Sequence, residues 1–210
     1  MAAIDFKKDR KDLYSPGTSP AIVEVPEMLF IMVDGEGDPN ESQAYADAMQ
    51  ILYGLSYAIR MNKAEQGYFE YVVPPPEGLW NVTDASFRGD GPIADKGQFV
   101  WTMMLRQPGF VTPAVFDAAR EKLAKKKPAL NLSLARLEPF AEGLCVQMMH
   151  LGPYDTEPES VRLMEHYREQ RGFQADFAGK RRHHEIYLSS PQKAAPETMK
   201  TILRHPIKRR

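Results

Sequence analysis

The chain has 210 residues, 43% hydrophobic and 26% charged, which is enough for one large domain or two small ones with a sizeable core. Its 27 Lys and Arg balance 28 Asp and Glu to a formal net charge of −1, so the basic field that bulk nucleic-acid binding needs is missing. A single cysteine excludes an intrachain disulfide or a thiolate metal cage and fits a reducing cytosol. The longest apolar run, Met28–Val33, falls far short of the ~20 residues of a membrane span, and Met1–Asp12 carries no apolar stretch of leader type, so a cytoplasmic location with no membrane association is expected. The distinctive part of the composition is 11 Met, 10 Phe, 9 Tyr and 2 Trp, soft and aromatic side chains that fill cores or line ligand pockets.

Residues 1–20 read as a loosely packed arm. Ala21–Pro26 is extended, and the apolar strand Met28–Val33 ends at Gly35. Asp38-Pro39-Asn40-Glu41 has the form of a capping box, with Pro at the first helical position. The helix that follows runs to about Met61, with Tyr45, Ala48, Met49, Leu52, Leu55 and Ile59 on one apolar stripe. A strand is predicted at Tyr68–Val73, a long loop or lid at Gly78–Gly97, and another strand at Phe99–Leu105. Thr112-Pro113 caps a linking helix near 112–126, whose Lys125-Lys126-Lys127 end is a solvated cationic terminus.

The order then repeats. Ala135–Phe140 is extended, Leu144–Leu151 is an apolar strand ending at Gly152, and Thr156-Glu157-Pro158-Glu159 is a second capping box. A helix from about 157 to 171 turns Val161, Met164 and Tyr167 inward, and His184–Leu188 and Met199–His205 are the last strands. Each half, about 21–110 and 130–208, reads strand–helix–strand–strand. The chain is therefore α+β, with residues 21–210 as a single domain of two repeats. Two such units side by side can cover one sheet face with helices and leave a shared concavity on the other, a common place for ligands.

His183-His184-Glu185-Ile186-Tyr187-Leu188 alternates as a strand. With Ile186 and Leu188 turned to the helices, Glu185 and Tyr187 face the concavity. A carboxylate there pairs with a cationic ligand or serves as general acid or base. Adjacent histidines on a strand point to opposite faces, and no metal-ligand spacing accompanies them, so no metal and no cofactor are expected. Asp34-Gly35-Glu36-Gly37-Asp38 lacks the third glycine of a dinucleotide fingerprint and the Gly-Lys-Ser/Thr of a phosphate loop. Cys145, between Leu144 and Val146, reads as a buried, inert thiol. Among the first-half aromatics Tyr53, Tyr57, Tyr68, Phe69, Tyr71, Trp80 and Trp101, most are core by composition. Trp80 and Trp101 are the pocket candidates, able to hold flat or cationic molecules by stacking and cation–π contact, and Tyr71 or Tyr68 could donate to a leaving oxygen.

The repeated unit, with His-Glu-Ile-Tyr-Leu-Ser-Ser-Pro at 184–191 and Pro196–Arg204 after it, resembles the GyrI-like small-molecule-binding family. Val25-Pro26, Asp34–Asn40, Leu52–Tyr57 and Pro76-Glu77-Gly78-Leu79-Trp80 agree with its stand-alone branch of about 200 residues, which lacks a DNA-binding domain. Ser190 stands where that pattern has an Asp, a change in a turn. The resemblance implies duplicated modules with pseudo-twofold symmetry around a central ligand cleft, with a strand glutamate matching Glu185 inside it. Relatives of this branch include cyclopropanoid cyclopropyl hydrolases, which inactivate DNA-alkylating natural products by adding water across a cyclopropane. On that resemblance Glu185 and Tyr71 are the catalytic candidates, and Glu185, Tyr187, Trp80, Trp101, Tyr57 and Phe69 are the ligand-binding ones. The expected partners are hydrophobic aromatic small molecules with no direct nucleic-acid contact, and a dimer is left open. Three functions are carried forward: a hydrolase of electrophilic aromatic compounds, a sequestering receptor using the same cleft, and a protein-interaction module.

Overall fold

The computed structural model describes residues 3–82, 96–190 and 193–210. In chain order its elements are helices α1 (Phe6–Asp9) and α2 (Lys11–Tyr14), strand β1 (Ala21–Glu36), helix α3 (Gln43–Arg60), strands β2 (Glu77–Val82) and β3 (Phe99–Gln107), helix α4 (Pro113–Lys126), strand β4 (Ala135–Leu151), helix α5 (Glu157–Gln170), and strands β5 (Phe173–Ala175), β6 (His183–Tyr187) and β7 (Lys200–Arg209). All strand pairs are antiparallel. β1 joins β3 to β4, β2 joins β3 to β6, and β7 joins β6 back to β4, so six strands close into a barrel with β5 added at the end of β7. The repeats are β1–α3–β2–β3 and β4–α5–β6–β7. Each strand of one repeat has its counterpart in the other, and β1 meets β4 as β2 meets β6. Closure removes the exposed edges that two small open sheets would carry.

Strand alternation then sorts the side chains into three apolar clusters. One fills the barrel and draws Phe30, Leu79, Met104, Phe140, Ile186 and Ile202 from all six strands. A second packs Ile31, Val33, Met103 and Leu105 under α3 and α4, and a third packs Val146, Met148 and Leu203 under α5. The long strands β1 and β4 join segments that the sequence presents as separate. Pro26 lies within β1, where it gives up one donor, and Gly143 takes φ +71 within β4 directly across from Val25.

Several expectations change. Residues 1–20 are not a loose arm, because Leu13 and Tyr14 are fully buried in the barrel cluster. Tyr68–Val73 is not a strand; its one ladder contact is an isolated bridge between Tyr71 and Ile4, and its rings pack on Phe110 instead. The predicted loop begins with strand β2, and its residues 83–95 lie outside the described residues. Helix α3 is capped by Ser42, whose Oγ accepts from the Tyr45 N–H at 3.4 Å, while Asp38 accepts from Asn40 in the turn before it. Thr156 makes no cap and donates to the Pro153 carbonyl at 2.8 Å, whereas Thr112 caps α4 as expected. Before β6, Arg181 donates to the Leu144 carbonyl at 2.7 Å. No helix among the described residues is long and apolar enough to cross a membrane.

Candidate functional site

Outside the barrel wall, strands β2 and β6 lie side by side as the floor of a cleft of about 1580 Å³, flanked by α3 and by the start of α5. The alternation of β6 assigns its residues to two environments. His184 and Ile186 turn into the barrel, not toward helices, while His183, Glu185 and Tyr187 line the cleft. From α3 come Tyr45, Met49, Tyr53 and Tyr57, from β2 Trp80, and from the second repeat Tyr154, Glu157 and Val161. The cleft is thus an aromatic basin with a carboxylate on its floor.

Glu185 has 14% of its side chain exposed, enough for a ligand to touch and little enough for its charge to be weakly screened. Its Oε1 lies 3.0 Å from His183 Nε2, and His183 Nδ1 lies 2.6 Å from Nε2 of the buried His205. Beside it, Trp80 Nε1 donates to the Tyr187 hydroxyl at 2.7 Å. Gly78 leaves room for that bond, because a Cβ there would fall 2.6 Å from Trp80 Nε1 and 3.1 Å from the Tyr187 hydroxyl. Tyr154 meets the Tyr187 ring edge-on at 6.0 Å, and Tyr45 stacks on Trp80 at 6.3 Å. Burial and then the nearby Glu185 charge push the phenols of Tyr187, Tyr45 and Tyr154 upward, so all three remain protonated donors at neutral pH. Glu157, the first residue of α5, is driven well above the usual carboxyl range by burial and then by Glu185 and Asp155.

Of the residues named from sequence, Glu185, Tyr187, Trp80 and Tyr57 line the cleft, Tyr57 on its half-exposed outer wall. Trp101, Tyr71 and Phe69 do not. Trp101 lies flat across Gly35, where a Cβ would overlap its ring, and is fully buried with its Nε1 donating to the Gly37 carbonyl at 3.3 Å. Tyr71 is fully buried in an aromatic group with Phe6, Phe69 and Phe110, away from Glu185, so a catalytic part for it has no geometric support. Sequence reasoning does not single out Tyr45, Tyr154, Glu157 and His205, and gives His183 no role. Tyr45 was hidden in the apolar stripe of α3, and Glu157 in the pattern of a helix cap. His183 was in view, because it shares the face of Glu185 and Tyr187.

Fold and cleft together define an α+β barrel with an aromatic cleft on its outer face. An uncharacterized conserved protein from Listeria innocua superposes on it with a TM-score of 0.90 at 46% identity, covering 98% of this chain and 100% of that one. Two further structures from Listeria innocua, both described as hydrolases, match at 44% identity with TM-scores of 0.88 and 0.89 and cover 98% and 99% of this chain and 100% of theirs. This chain belongs to the family of these Listeria innocua proteins. The C-terminal domain of EcmrR shares the fold at 13% identity, with a TM-score of 0.52, covering 91% of this chain and 98% of that domain. No protein-family model matches the sequence, and no curated protein matches it closely enough to count as a relative.

Proposed function

We propose that the cleft binds flat hydrophobic, aromatic or cationic small molecules and hydrolyses an electrophilic one among them, a cyclopropane-bearing, DNA-alkylating compound, as in the cyclopropanoid hydrolase branch of the GyrI-like family. The observation that carries this reading is the largely buried Glu185 carboxylate in the floor of an aromatic basin, within reach of the ligand space and beside protonated phenols. The 44% identity to structures described as hydrolases supports it. In the proposed reaction a water oxygen bonds to the strained ring carbon and the carbon–carbon bond of the cyclopropane breaks. Its electron pair moves through the conjugated ring to the carbonyl oxygen, which ends as a phenol. Glu185 orients the water and takes its proton. Tyr187, whose hydroxyl accepts from Trp80 and lies beside Glu185, donates its proton toward the ligand oxygen. Trp80 and Tyr45 hold the flat rings.

Incubation of the chain with a cyclopropane-bearing alkylator, followed by mass spectrometry, tests this. Formation of a ring-opened product heavier by one water supports hydrolysis. Recovery of unchanged compound bound tightly to the chain would replace it with the sequestering receptor, and no binding at all would remove both.

A further inference from the structure

Glu157, His183 and Glu185 come from two elements and meet in the cleft wall, with one donor atom from each lying within 4.8 Å of the others. We propose that these three side chains form a binding site for a single divalent transition-metal ion of the zinc type. Three observations beyond their proximity point to a cation. Oε1 of Glu157 is buried with no hydrogen-bond partner, although Glu157 as a whole is only 9% exposed. Two carboxylates and an imidazole form a donor set that borderline divalent ions take. The outer shell is also in place: His183 has its other ring nitrogen 2.6 Å from His205 Nε2, and His205 is itself buried at 3% exposure. A ligating imidazole is usually oriented in this way, with its second nitrogen held by a fixed neighbour.

The expectation of no metal rested on His183 and His184 facing opposite ways. They do, and His184 is enclosed in the barrel. The missing ligand comes instead from the first turn of α5, which no local spacing could reveal. Three protein ligands leave the remaining coordination positions open to the cleft, as in sites where a metal holds a water or a ligand group. The inference rests on the geometry of the cleft wall and not on the proposed hydrolysis, and it can be read without any substrate.

The test uses the full chain without a histidine tag, stripped with a chelator, and titrated with Zn²⁺ by calorimetry and with Co²⁺ by visible absorption. The expected result is one ion per chain, with a Co²⁺ spectrum of low coordination number. Glu157→Gln and His183→Gln, each checked for a native melting transition, should each weaken Zn²⁺ binding at least tenfold, while Glu197→Gln, on a distant turn, should leave it unchanged. If either site variant fails to fold, the other carries the comparison. No saturable binding below millimolar Zn²⁺, or binding that both site variants retain in full, would overturn the proposal.

Discussion

Neighbouring residues of β6 sit in two carboxylate–histidine clusters of opposite kind. Inside the barrel, His184 is bracketed by Glu142 at 2.9 Å and Glu77 at 3.0 Å. Arg204 donates to Glu142 at 3.1 Å and to the Leu13 carbonyl at 2.9 Å, and Tyr14 donates to Glu77 at 2.9 Å. Two anions thus meet two cationic groups where no water reaches. On the outer face, one residue along, Glu185 and Glu157 approach each other with His183, and one Glu157 oxygen has no partner. The interior group is balanced in charge and closed to solvent, with Oε1 of Glu142 also lacking a hydrogen-bond partner, so it specifies the barrel and seats the N-terminal segment. The cleft group is open to the ligand space, which is what a site for a cation, a proton donor or an electrophile requires.

The sharpest way to break this contrast is to unmatch the interior. Arg204→Met leaves the Glu77–His184–Glu142 group short of one cation and should cost about 3–5 kcal/mol in urea unfolding. Leu13→Ala empties part of the barrel filling and should cost about 2–5 kcal/mol, whereas a loose arm would make it nearly silent. Acid and base should expose the same cluster. Burial alone would raise the Glu142 carboxyl, but His184 and Arg204 hold it down at about 2. Burial alone would lower His184, but Glu142 and Glu77 lift it to about 9. The Glu142 contribution is present above its ordinary value of about 4.5 and is lost as pH falls toward 2; that of His184 is full below about 6.5 and is lost as pH rises through 9. Stability should therefore be greatest at about pH 4.5–6.5 and should fall on the alkaline side by an amount on the order of 3 kcal/mol, much of which His184→Gln should remove. A pH-independent unfolding midpoint from 6 to 9 would contradict the charged state of His184.

Cleft changes should leave stability nearly alone. Gly78→Ala pushes Trp80 off the Tyr187 hydroxyl and should lower affinity for a flat aromatic dye roughly tenfold, about 1.4 kcal/mol, with a shifted tryptophan emission. Glu157→Gln removes a crowded carboxyl and should change unfolding free energy least, by about 0.5 kcal/mol or less.

The sequence shows the α+β class and the repeat because both are written locally, in capping residues, alternation and recurring order. It shows Glu185 because a period of two puts it opposite Ile186. It does not distinguish which aromatics face the ligand. Trp101 and Tyr71 have the same chemistry as Trp80 and Tyr187, and only the close passage over Gly35 and the ring group around Phe110 make them core. Tyr68–Val73 alternates as a strand would, yet the partner it needs is taken by β2, whose Glu77 looks out of place until His184 and Tyr14 are seen to meet it. Glu142, Arg204 and Glu157 were silent for the same reason, since each is explained by residues far away in the chain.

The outer face of β6 carries the proposed chemistry, and its inner face carries stability. The measurement that tests it most directly is the rate of water addition to a cyclopropane-bearing alkylator by Glu185→Gln, taken alongside its unfolding midpoint. The expected result is a native midpoint and a rate lower by roughly 10²–10⁴-fold. A native midpoint with an undiminished rate would contradict it.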